Sequence, residues 1–224
     1  MAVDQTYDRH LPHRVPAGFP IFLTWNLKGA MPSAAIEELR RERGRLEDQA
    51  ARPGETASQR RIREDRQLFA AADRFLDRTA EGPMHLKDPT AARIVEDAIL
   101  FGAGDRYDLF AWCVLSNHVH VCLTPRRELG KITQGIKGYT AHRINGLRGT
   151  HGEAFWQDES YDHWSRDEEE MFRIIDYIEN NPVAARLCRR PEDWPFSSAR
   201  FRSDWKAGQA FHSRPTSRRS GFPA

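Results

Sequence analysis

The chain has 224 residues, 39% hydrophobic and 29% charged, with a formal net charge of +2. Such a composition fits a globular protein with one decorated domain. It argues against a helical membrane protein, because no apolar run approaches the ~20 residues that a span needs, and the first residues lack the apolar core of a secretory leader.

In chain order, residues 1–18 are polar, carry Pro12 and Pro16, and read as a loose N-terminal arm. Phe19 to Leu27 is β-prone and is the first expected strand. Gly29 to Ser33 breaks it. Residues 34–76 are strongly charged and helical in pattern, with an interruption at Arg52-Pro53-Gly54. Mixed charge predicts a solvent-exposed helical pair inserted into the core domain.

Asp88-Pro89-Thr90 is a good helix start, and Gly102 and Gly104 mark its end. Next come two apolar runs, Tyr107 to Leu115 and His118 to Thr124, with Ser116-Asn117 between them, which read as a β-hairpin. Leu129 to Gly149 reads as a helix, and Phe155-Trp156 as a short strand or packing anchor. Ser165 to Asn181 has the clearest helix signals. Ser165 with Glu168 forms a capping box, acids fill the first turn, and Pro182 is expected to stop it. Trp194 to Ala199 reads as a packing loop, and residues 201–224 as a disordered basic tail.

Cys113, Cys122 and Cys188 lack Cys-x-x-Cys spacing. They read as thiols of a reducing cytoplasm, not as a disulfide framework or a zinc ribbon. The small net charge hides two basic regions. Between Arg126 and Thr150 six cations (Arg126, Arg127, Lys131, Lys137, Arg143, Arg148) face one acid, Glu128. Six more between Arg200 and Ala224 face only Asp204. Such local patches suit phosphates, although solvated surface gives the same pattern.

Alternation in a strand puts His118 and His120 on one face and Val119, Val121 and Leu123 on the other. Two imidazoles on a rigid strand form half of a metal site facing an open cleft; two polar residues on a solvated face is the plainer reading. On the last helix Met171, Ile174, Ile175 and Ile178 form an apolar stripe. Tyr177 and Asn181, one turn apart, stack on its flank. Tyrosine offers a phenolic nucleophile, and asparagine a neutral carbonyl oxygen to a metal. Two imidazole nitrogens and one amide oxygen leave positions open, which suits Mg²⁺ or Mn²⁺ better than a closed zinc site.

Several segments together resemble a known family. They are Asn117-His118-Val119-His120-Val121, Phe155 through His163, Arg166-Asp167, Tyr177 through Val183, and Asp193-Trp194-Pro195-Phe196-Ser197-Ser198-Ala199. Their order is similar to that of the REP-associated tyrosine transposases, in the IS200-like, single-tyrosine branch of the HUH nucleases. The resemblance runs from about Phe19 to Ala199, so that 19–200 is expected to be the transposase domain. It implies an α+β, ferredoxin-like antiparallel sheet with packed helices. It also implies that His118, His120 and Asn181 hold a divalent metal and that Tyr177 is the nucleophile. The reaction implied is cleavage and rejoining of single-stranded, hairpin-forming DNA through a 5′-phosphotyrosine. Relatives place other amide or acidic side chains at the position of Asn181, and the segment 34–76 is longer than a minimal member needs.

Lys131, Lys137, Arg143 and Arg148 are expected to contact DNA phosphates, and Tyr139 and Tyr161 are the rival nucleophiles. Two other functions fit the same residues: a phosphodiesterase that activates water, and a retired enzyme that only binds DNA hairpins. The chain is expected in the cytoplasm, nucleoid-associated when on DNA, as a monomer or homodimer.

Overall fold

The protein is described from a computed structural model covering residues 5–8, 12–15, 18–78, 82–158, 160–165, 167–203 and 209–211. Glu159 and Arg166 of the family motifs, and most of the basic tail, lie outside the described residues. The chain divides into two compact units, Met1–Lys28 with Met84–Ala224, and Gly29–Pro83.

The first unit is built on a four-stranded antiparallel sheet. Its strands are β3 (Ile21–Asn26), β4 (Tyr107–Val114), β5 (His118–Pro125) and β6 (Tyr161–Trp164), in the order β4-β5-β3-β6. Within the expected N-terminal arm, β1 (Gln5–Asp8) and β2 (Pro12–Val15) pair as a separate two-stranded ribbon. Strand β6 was not legible in the sequence: Tyr-Asp-His-Trp is short, with two charged or polar residues, and is ordered by pairing with β3.

Period-two alternation fixes what each face of the sheet carries. On one face Leu23, Trp25, Trp112, Val119, Val121 and Leu123 are almost fully buried. Helices α3 (Pro89–Phe101) and α4 (Leu129–Arg148) cover it. Trp112 Nε1 donates to Glu96 of α3 at 2.8 Å. Trp156 packs edge-on against Trp25, with centroids 6.3 Å apart, and donates to Thr140 of α4 at 2.9 Å. Helix α5 (Glu168–Ala184) lies on the other face, which carries His118 and His120.

Asp88 caps α3 by accepting from the Thr90 N–H at 2.8 Å. Gly102 is its C-cap, and a Cβ there would come within 2.5 Å of the Tyr107 ring. For α5 the cap is Asp167, which accepts from the Glu170 N–H, and Ser165 instead bonds to the Asp167 carbonyl. The N-cap thus lies two residues beyond the expected Ser165, and the Glu170 carboxylate pairs with His163. Pro182 does not stop the helix, which runs to Ala184. It ends with Arg186 at φ 59°, while the N–H of Leu187 bonds back to the Pro182 carbonyl at 2.8 Å.

The outer edge of β4 is covered by the C-terminal segment. Val114 N–H donates to Phe196 O at 2.9 Å, and Trp112 N–H to Ser198 Oγ at 3.2 Å. Covering an edge strand in this way blocks pairing with other chains. The covering extends into the region expected to be disordered, where Phe211 N–H bonds to Leu109 O at 2.6 Å and its ring meets Trp112. The aromatic ring gives that part of the tail something to bury.

The second unit holds the expected charged helical pair, α1 (Ser33–Asp48) and α2 (Ala57–Arg78). Arg60 donates to the Glu47 carbonyl at 2.6 Å, tying the start of α2 to the end of α1. Arg63 grips Glu55 through two nitrogens and holds its carboxyl down to about 2. Among the described residues no helix is long and apolar enough to cross a membrane.

Candidate metal and nucleophile site

His118 and His120 point to the same face of β5, as alternation requires. Their rings meet nearly at right angles with centroids 4.7 Å apart. One ligand nitrogen from each lies within 4.8 Å of the other. Against the expectation of an open cleft, both are buried, with relative exposures of 1% and 0%. The strand is buried on both faces, so its alternation separates two buried environments and not inside from outside.

Each imidazole is oriented through its Nδ1. For His118 the partner is Asn117 Oδ1 at 2.7 Å, and for His120 it is Thr24 Oγ1, also at 2.7 Å, across the β3–β5 pair. With the Asn117 amide oxygen as acceptor, His118 donates from Nδ1, the tautomer that leaves Nε2 bare. The Thr24 hydroxyl can accept from His120 Nδ1, which allows the same tautomer there. Bonding the distal nitrogen to a polar partner is how metal-ligating histidines are oriented.

The third expected ligand stands beside them. Asn181 is 2% exposed, and its amide nitrogen lies 3.1 Å from His120 Nε2. Turning the amide over puts the carbonyl oxygen in the same place. Two imidazole nitrogens with their distal atoms tied, plus one neutral oxygen, fit a divalent cation that keeps positions open for other oxygens.

Tyr177 lies one turn before Asn181 and is 40% exposed. Its ring meets His120 edge-on at 5.9 Å and Phe22 of β3 at the same distance. Helix α5 presents Glu170, Tyr177 and Asn181 to this face at helical spacing. Glu170 bonds to His163 of β6 at 2.9 Å. The helix therefore crosses the sheet from β6 towards β4, fixed at both ends.

The rival tyrosines fall in different places. Tyr139 is on α4, against the opposite face, under the guanidinium of Arg143. Tyr161 is on the histidine face but opposite Thr24 on the edge strand, and its ring contacts Phe22 at 6.2 Å. The four expected phosphate contacts are all on α4. Lys131 pairs with Glu128 at 2.9 Å. Lys137 donates to the carbonyls of Gln157 and Asp158 at 2.7 and 3.0 Å, which anchors that loop. Arg143 and Arg148 are exposed. The structure thus brings together His118, His120, Asn181 and Tyr177, and leaves the four cations on a helix of the other layer.

Sequence reasoning missed Thr24, Phe22 and a buried carboxylate on α5. Glu179 accepts from Ser198 Oγ and Arg202 Nε, both at 2.6 Å, joining α5 to the Trp194–Ala199 motif. Burial pushes its carboxyl up, against the pull of those two donors. Its signal was present but unread: Glu179 sits between Tyr177 and Asn181 in sequence yet faces the other way around the helix. Burial also pushes the Cys122 thiol up to about 12, so Cys122 behaves as a small apolar residue.

Residues 92–181 match the family model described as "Transposase IS200 like". That span holds both histidines, α4, Tyr177 and Asn181, and it is the family that the motifs resemble. No curated protein matches the chain. Among solved structures, one described as a REP-associated tyrosine transposase bound to a REP hairpin aligns with a TM-score of 0.50. It shares 18% identity and the alignment covers 88% of this chain and 95% of that one. The likeness is one of fold: an antiparallel sheet with packed helices.

Proposed function

We propose that this chain is a metal-dependent single-strand DNA endonuclease and strand transferase of the IS200-like kind, with Tyr177 as its nucleophile. The observation that carries the reading is the placing of Tyr177 and Asn181 on one turn of α5, both against His120. The match over residues 92–181 supports the transposase class. The hairpin in the aligned structure supports hairpin-forming DNA as substrate.

His118, His120 and Asn181 would hold Mg²⁺ or Mn²⁺, which when bound supplies Lewis-acid polarisation of a phosphate oxygen. The chain's own residues do the rest. Thr24 and Asn117 hold the imidazole tautomers. Helix α5 presents the Tyr177 hydroxyl at the mouth of the site, where a phosphodiester can reach it. Attack forms the Tyr177 Oη–P bond and breaks the P–O3′ bond. The phenol proton leaves to solvent, and the departing 3′ oxygen takes one up. The product is a 5′-phosphotyrosine with a free 3′-OH, and the reverse attack by another 3′-OH rejoins strands. The chain is read as a monomer or homodimer working in the cytoplasm. The charged unit 29–83 is an elaboration on the nuclease core.

The test is incubation with 3′-labelled single-stranded DNA containing a hairpin, in Mn²⁺. The reading requires a labelled protein band that survives denaturation. Cleavage without an adduct would instead support a water-activating phosphodiesterase, and binding without cleavage a retired enzyme.

A further inference from the structure

Phe22 lies at the centre of the site's aromatic contacts although nothing in its chemistry reacts. It is 4% exposed, on the same face of β3 as Thr24. Its ring stacks on His120, with centroids 5.6 Å apart and planes at 27°. It meets Tyr177 edge-on at 5.9 Å and 87°, and Tyr161 at 6.2 Å and 69°. Edge-to-face aromatic pairs at such distances are favourable arrangements beyond the area they bury.

Tyr177 is the most exposed side chain of the group, and exposed rings otherwise exchange rotamers freely. Phe22 touches the ring of the nucleophile and the ring of a metal-site histidine at once. Phe22 is also held on a central strand, with β5 on one side and β6 on the other.

We infer that Phe22 is a positioning residue, whose ring sets the distance and angle between the Tyr177 phenol and the His120 imidazole. The inference rests on the reading of Tyr177 as nucleophile. It assigns to a buried apolar residue a share of the rate, because a displacement of about 1 Å in a reacting group costs up to about 100-fold. Tyr161 buttresses the third side of the Phe22 ring and needs no hydroxyl for that.

The test compares Phe22→Leu and Phe22→Tyr with wild type, at saturating Mn²⁺ and saturating hairpin DNA, with thermal melts recorded for each. Phe22→Leu should lower the rate of adduct formation by about 10- to 100-fold and leave the dissociation constant for DNA unchanged. Phe22→Tyr, which keeps the ring, should restore most of that rate. An Ile99→Val control on α3, against the opposite face, should lose stability without losing rate. Three results would overturn the inference: an undiminished rate in Phe22→Leu, a weakened DNA affinity in Phe22→Leu, or an equal loss in a stably folded Phe22→Tyr. A wild type that forms no adduct would instead sink the reading of the nucleophile, and the role of Phe22 with it.

Discussion

Thr24→Val replaces a buried hydroxyl with a methyl of nearly the same shape. Thr24 is 5% exposed and His120 fully buried, so water does not readily substitute for the lost oxygen. The contact removed is 2.7 Å long and ends on His120 Nδ1. A metal-ready His120 must carry its proton on that nitrogen, and without the acceptor it is a buried donor that has lost its bond, at a cost of about 1–3 kcal/mol. Moving the proton to Nε2 avoids the cost but removes the lone pair that faces Asn181. By either route the affinity for Mn²⁺ should fall by about 10- to 100-fold, the usual effect of losing such an outer partner. That is about 1.4–2.7 kcal/mol, at 1.36 kcal/mol per decade. Calorimetric titration of wild type, Thr24→Val and Thr24→Ser with Mn²⁺ measures it directly. Thr24→Ser keeps the hydroxyl and should bind like wild type. If Thr24→Val binds Mn²⁺ as tightly as wild type, the hydroxyl does not govern the imidazole and the argument from tautomers fails.

His118→Ala and His120→Ala should each abolish cleavage. Because both residues are buried, circular dichroism and melting should also show a stability loss of about 1–3 kcal/mol; full cleavage by the double variant would remove the site. DNA affinity should fall steeply with salt, and Arg148→Ala should flatten the log–log slope by about 1. Lys137→Ala should chiefly loosen the Gln157–Asp158 loop, seen as a lower melting temperature; a slope unmoved by Arg148→Ala would make that end of α4 ordinary surface. Glu179 has a carboxyl raised by burial, so its contribution to stability is full below the unfolded value near 4.5 and is lost as pH rises through the folded value. A non-titrating Glu179→Gln should therefore gain on wild type in denaturant midpoint as pH rises from 4 to 7. A gap that stays constant or moves the other way would show that the Arg202 pairing outweighs desolvation.

The hairpin, the helix starts at Asp88 and Leu129, and the shared face of His118 and His120 were legible, because alternation, caps and turn residues act locally. What escaped the sequence depends on partners far along the chain. Thr24 reaches His120 only through strand pairing, at a sequence separation of 96. Strand β6 exists because β3 offers an edge, and Phe211 is ordered because Trp112 and Leu109 receive it. The burial of the histidines was misjudged because a His-x-His strand looks half-solvated until a helix is known to lie on it. The four cations of α4 are legible as charge along the chain, but a one-dimensional pattern does not show the layer of the fold in which they end.

The central claim is that the hydroxyl of Tyr177, and not Tyr139, Tyr161 or water, attacks the phosphate. Protease digestion of the trapped protein–DNA adduct, followed by mass spectrometry, tests it most directly. The account predicts one modified peptide, containing Tyr177, and no adduct in Tyr177→Phe, while Tyr139→Phe and Tyr161→Phe still form it. DNA attached at Tyr139 or Tyr161, or cleavage that persists in Tyr177→Phe, would contradict it.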